Sequence, residues 1–262
     1  MDLMFSFGPK LPVTEGERLW VDEGFRRLSK MIGPSRLQNA KVVLPTDEFF
    51  PDPWDATEPA LKSLFCRICG YMGVNPDRVE LAIIPDTIHL LEVLPAYSLG
   101  GENSPAGLHF GASEEDRSLV AVRNSLLKDP LNVVATLAHE LGHVILLDGG
   151  HLRRDDEEME PLTDLVTVYL GLGVFTANAS RNFRKYQDDR REGWSMSRLG
   201  YLPETVFGYA LACFAKERGE DQPTWAKHLS TNLNAWFRQS ARWLKKDLQR
   251  SGDATAAGVY RR

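Results

Sequence analysis

No run of eighteen or more apolar residues interrupts this 262-residue chain, and its longest candidate, around "LVTVYLGLGVF", is too short to cross a bilayer. No membrane partner is therefore expected. The opening "MDLMFSFGPKLP" lacks a basic n-region, a sustained apolar core and a small-residue cleavage site, so no secretory signal is read and a cytoplasmic location is expected. Cysteine is scarce, with Cys66, Cys69 and Cys213 the whole complement. The "CRIC" pair falls inside an apolar helical pattern and has no second Cys or His pair nearby, which excludes a zinc ribbon and leaves buried thiols as the expectation. Excess positive charge is missing as well: 31 Lys and Arg face 36 Asp and Glu, a net charge of −5. That balance excludes a general nucleic-acid binder. The local clusters "SRNFRKYQDDRR" and "RWLKKDLQR" are broken by acids or apolar residues and read as solvated helix faces. There is no internal repeat and no low-complexity tract.

What is present is an ordinary globular composition, 43% hydrophobic and 10% aromatic, enough to bury a sizeable core. Thr14 with Glu17 three residues later opens a helix over 14 to 31; a short strand "AKVVL" follows, then a Pro-rich loop and a helix over 57 to 72. Between 79 and 123, "VELAIIP", "IHLLEVL", "GLHFGAS" and "SLVAVRN" are short, branched and punctuated by Pro, Gly and Asn, as strands of one sheet would be. From Asp129 onward the apolar spacing is helical, near 130 to 147, 161 to 178, 203 to 219 and 223 to 249. The expected class is α+β, a small, mainly antiparallel sheet followed by a central helix and a helical C-terminal half. The expected division is an N-terminal α+β part at 1–128, a helical part at 129–250 and a disordered tail at 251–262, the whole being either two units or one compact domain.

The chemistry concentrates in "LNVVATLAHELGHVILLDGGH". His139 and His143, four residues apart, project from one face of a helix, so their two neutral nitrogens can bind one ion. Glu140 points about 100° away around the helix, near enough to take a proton from a water without being a ligand. Zinc asks for N or O donors in a tetrahedron, and a catalytic site keeps the fourth position for water. Val133, Val134, Leu137, Leu141, Val144 and Ile145 give the helix an apolar surface, which predicts a buried central element.

Two residues compete to complete the site. His151 lies eight residues beyond His143, after "ILLDGG", where a turn could fold it back. Its spacing only loosely resembles the metzincin arrangement, because Leu146 and Gly149 stand where that family has Gly and His. Downstream, "EPLTD" places Glu160 and Asp164 four residues apart on one face of a second apolar helix, with Pro161 in its first turn. Glu157 and Glu158 precede that helix too, but neither has an acid one turn on with an apolar continuation.

The order H-E-x-x-H, then E-x-x-x-D on a later helix, resembles the gluzincin metallopeptidases. The resemblance covers about fifty residues, from the strand near 118 to the helix ending near 178. It implies Glu160 as third metal ligand, Asp164 as acceptor for the free N–H of His139, one zinc ion per chain, and Glu140 as general base in peptide hydrolysis. An oxyanion donor outside the motif is also required, with Arg198, Tyr201, Tyr209 and His228 as candidates. Gly171 and Gly173 are expected to allow close helix packing behind the site. The strand "SLVAVRN" could offer a free edge to an extended peptide, making peptide or protein the preferred substrate. The competing expectation is a zincin-scaffold binding or regulatory protein with a structural zinc. A restricted protease switched on by an activating protein partner is a further one. Glu140 separates these, since a structural zinc needs no base beside its ligands.

Overall fold

The computed structural model describes residues 10–86, 107–110, 117–153, 156–185 and 202–259. Helix α1 (Glu15–Ile32) starts where the capping pair predicts: Glu17 N–H donates to Thr14 Oγ1 at 3.3 Å, and Thr14 N–H donates to the Glu17 carboxylate at 2.7 Å. A short α2 (Pro34–Asn39) and then α3 (Glu58–Met72) follow, the latter capped by Thr57 and ended by Gly73 in the left-handed conformation. The "AKVVL" segment is not a strand. It runs extended past a helix turn, where Val43 N–H donates to Gly171 C=O at 2.9 Å. Its apolar residues are held by side-chain packing, with Val43 fully buried.

The sheet corrects the expectation of mainly antiparallel pairing. Among the described residues it has three strands, β1 (Val79–Ile84), β2 (Gly107–Phe110) and β3 (Ser118–Arg123), in the order β1-β3-β2. β1 and β3 are parallel over six residue pairs, whereas β2 and β3 are antiparallel over four, so the sheet is mixed. Of the four segments read as strands, "IHLLEVL" lies outside the described residues. The physical reason for the order is in β3 itself: four of the six residues in "SLVAVR" are buried, a near-continuous run suited to the centre of a sheet. Both sides of β3 are therefore occupied, and it has no free edge to offer a peptide.

The second half is helical: α4 (Pro130–Asp148), α5 (Met159–Tyr169), α6 (Gly173–Lys185), α7 (Glu204–Glu217) and α8 (Thr231–Val259). The single helix expected over 161 to 178 is broken in two at Gly171. That residue has φ +88°, and a Cβ there would lie 2.2 Å from Lys41 O, so Gly171 turns the chain and admits the extended segment in one stroke.

Asp129 caps α4 by accepting from Asn132 N–H at 3.2 Å, and Pro130 fills the first turn. α4 then passes through the middle of the molecule, packed on α3, α5, α6, β2 and β3. By length and composition it could cross a membrane, but 72% of its apolar window is buried inside the protein, as befits a core helix. One apolar cluster joins the N-terminal and C-terminal halves of the described residues, running from Leu28 and Ile68 through Val122, Leu137 and Leu165 to Phe207. α1 lies against α5 closely enough that a Cβ on Gly24 would meet Leu165 Cδ2 at 2.4 Å.

Candidate active site

α4 and α5 cross at Gly142, where an added Cβ would sit 2.8 Å from Thr163 Cγ2 and 3.3 Å from Thr163 O. The absence of a side chain at 142 brings the two helix backbones together, and it sets the face bearing His139 and His143 against the one bearing Glu160, Thr163 and Asp164. His139 and Glu140 are 2% exposed and His143 8%, whereas the Glu160 side chain is 42% exposed, so the cluster opens to solvent on the Glu160 side.

The distances define the arrangement. His139 Nδ1 lies 2.9 Å from Asp164 Oδ1, while its Nε2 lies 3.0 Å from Glu160 Oε2 and 3.2 Å from His143 Nε2. His143 Nε2 is 3.5 Å from the same Glu160 oxygen. Asp164 uses its other oxygen to accept from Leu202 N–H at 2.8 Å, just before α7 begins. Asp164 is an acceptor, so it fixes the His139 proton on Nδ1 and leaves the Nε2 lone pair facing the cluster. One ligand atom each from His139, His143 and Glu160 then converge within 4.8 Å of one another.

Converging lone pairs in a buried place repel unless something positive sits among them. A proton is one answer. Burial works against the His139 imidazolium, yet its hydrogen bonds to Asp164 and Glu160 outweigh this and hold its pKa well above the ordinary value. Burial would likewise raise Glu160, but the charges and hydrogen bonds of His143 and His139 hold it well below the carboxylate range. A divalent cation is the fuller answer, because it engages all three lone pairs at once and matches a donor set of two imidazoles and a carboxylate. Glu140 is no part of that set. Burial raises its pKa, partly offset by His143 and His139. Burial also raises Asp164, against the bonds from His139 and Leu202.

Three of the remaining candidates, among the described residues, fall elsewhere. His151 turns back over the end of α4, its ring within 2.7 Å of where a Gly149 Cβ would lie, and it is not among the clustered ligands. Tyr209 is buried in α7 and donates to Asp22 Oδ1 at 2.9 Å. His228 closes a short 3-10 turn, where its carbonyl accepts from Asn178. Arg198 and Tyr201 lie outside the described residues. Among the cysteines, Cys69 and Cys213 are buried, but Cys66 is exposed, against expectation: it lies about 60° further round α3 than Cys69, just beyond the edge of the apolar stripe.

Several supporting residues carry no motif. Glu158, at the start of α5, accepts from Trp20 Nε1 at 2.7 Å and pairs with Arg27, so α1 holds the end of the helix that carries Glu160. Thr163 Oγ1 sits 3.3 Å from His143 Nδ1. Only the position of Thr163, beside Asp164 in an apolar helix, could have marked it in the sequence.

His139, His143 and Glu160 form a metal-ligand triad that, with Glu140 beside it, matches an HExxH-type zincin active site and is consistent with a metallohydrolase. Comparisons with protein-family models, with curated proteins and with solved structures found no match to this chain.

Proposed function

We propose that the protein is a zinc-dependent metallopeptidase of gluzincin type, in which His139, His143 and Glu160 hold one zinc ion and Glu140 is the general base. The observation that carries this reading is Glu140: a carboxylate 2% exposed, next in sequence to a ligand and outside the ligand set, has no task in a purely structural metal site. Zinc held by such a triad acidifies a water toward neutral pH and polarises a carbonyl.

The chain's own residues supply the rest. Asp164 fixes the orientation and tautomer of His139. Glu140, with its affinity for a proton raised by burial, accepts one during attack and returns it to the leaving amine. Peptide or protein is the preferred substrate class, although β1 and β2 occupy both edges of the strand expected to receive it, and three cysteines without disulfides agree with a cytoplasmic enzyme.

The test begins with metal analysis of protein purified without chelator, where about one zinc per chain is expected, as for a three-ligand catalytic site. A peptide library read by mass spectrometry then supplies a substrate, with chelator-treated protein as the blank. Glu140→Gln keeps zinc and thermal stability but loses about a hundred- to ten-thousandfold in hydrolysis rate. A cleavage activity that survives this substitution intact would sink the mechanism.

A further inference from the structure

We infer that Thr163 is a positioning residue of the metal centre: its hydroxyl fixes the proton of His143 on Nδ1, so that Thr163 and Asp164, adjacent on α5, each set the tautomer of one histidine. This rests on the reading of His139, His143 and Glu160 as metal ligands.

The argument starts from the count of protons. A threonine hydroxyl has one hydrogen to donate and two lone pairs with which to accept. Thr163 is fully buried, and three acceptor-capable atoms lie near its Oγ1: Met159 O at 2.8 Å, His143 Nδ1 at 3.3 Å and, as a weak acceptor, Met159 Sδ at 3.9 Å. The shortest contact takes the hydroxyl hydrogen, because a carbonyl can only accept. A lone pair of Oγ1 is then left facing His143 Nδ1, and that pairing is favourable only if Nδ1 carries a hydrogen. A neutral imidazole protonated on Nδ1 presents its lone pair on Nε2, the atom that lies 3.2 Å from His139 Nε2 and 3.5 Å from Glu160.

Packing prevents Thr163 from escaping this duty. The Thr163 methyl faces Gly142, 2.8 Å from where a Cβ there would lie, and the hydroxyl faces Met159 O and His143. Thr163 donates to His143 no charge and no proton; it selects which ring nitrogen is free. The cost of choosing the wrong tautomer would otherwise fall on each metal-binding event.

The experiment uses the full chain labelled with 15N-histidine, freed of metal by chelator, and reads which ring nitrogen of His143 bears hydrogen. Wild type is expected to show Nδ1–H. Thr163→Val keeps the shape but removes the lone pair, and the tautomer should shift toward a mixture. Zinc affinity, measured by competition with a chromogenic chelator, should fall about ten- to a hundredfold, the usual loss when a ligand's outer partner is removed. Thr163→Ser, which keeps the hydroxyl, should retain the Nδ1–H tautomer and most of the affinity. A wild-type His143 protonated on Nε2 overturns the inference, even if the valine variant fails to fold. So does a folded valine variant with unchanged tautomer and affinity. Failure of the wild-type chain to bind zinc while His143 carries Nδ1–H would instead strike the metal reading and leave the tautomer assignment standing.

Discussion

Asp22 and Asp164 are both carboxylates lodged between helices, and they are satisfied in opposite ways. Asp22, half-buried between α1 and α7, meets donors on both oxygens: Tyr209 OH at 2.9 Å on one, Arg18 at 2.6 Å on the other, with Glu15 bracing the arginine. Both oxygens of Asp22 and both of Glu15 meet donors, and the arginine cancels one of the two negative charges. Asp164 is also bonded on both oxygens, by His139 and Leu202, but it passes the demand on: once His139 gives Nδ1–H to Asp164, its other nitrogen joins Glu160 and His143 in a group of acceptors. The first cluster is complete as it stands, as structural polar networks are; the second needs a positive charge among its acceptors, a proton at the least and a divalent cation to engage all three. Asp164 is the more deeply buried, its side chain 3% exposed against 31% for Asp22, but burial alone does not call for a cation. The balance of donors and acceptors does.

The comparison breaks most sharply at Asp164. Asp164→Ala should weaken zinc binding about ten- to a hundredfold by chelator competition, and Glu160→Ala, which removes a ligand itself, by more. If Asp164→Ala leaves affinity at the wild-type level, the two carboxylates do not differ in kind. Tyr209→Phe probes the complete cluster. It removes one donor to Asp22 and should cost about 1 kcal/mol of stability in urea unfolding, with zinc affinity unchanged. A drop in zinc affinity there would join the clusters that the geometry separates.

The smallest effect concerns Glu158, between the two. Burial would raise its pKa, but Arg27 and Trp20 outweigh this and hold it below the ordinary glutamate value. A folded-state pKa below the unfolded one gives stability that is present above the unfolded value, about 4.3, and is lost as pH falls through the folded one. With a third of its side chain exposed, Glu158→Gln should cost about 1 kcal/mol or less at neutral pH, and the gap from wild type in denaturant midpoint should close on acidification. A gap that widens at low pH would reverse the sign of the argument.

The parts of the molecule legible in the sequence are those fixed by local spacing. His139, His143, Glu160 and Asp164 meet because two pairs at i, i+4 project from two helices, and each pair is visible within five residues. α1 and α3 declare themselves through Thr14 and Thr57, which cap them by bonds three residues long. What escaped depends on contacts across the chain. β3 lies between β1 and β2, an order that hydrophobic runs and turn residues do not encode. The "AKVVL" run has strand composition but finds Gly171 instead of a ladder. Leu202 reaches Asp164 across 38 residues, and Trp20 reaches Glu158 across 138. α+β was readable because it needs only the kinds of elements; mixed pairing was not, because it needs their partners.

The contact at Gly142 bears on how this centre would be recognised in other chains. The two positions between Glu140 and His143 are conventionally free to vary, but here one of them is closed: any side chain at 142 would strike Thr163. The pattern that describes this crossing is therefore H-E-x-G-H followed by E-x-x-T-D, a string in which the glycine and the threonine are as informative as the residues that touch the metal. A scan of unfamiliar sequences with the longer string would select for the packing as well as the chemistry, and would pass over chains in which the five-residue motif has arisen by chance.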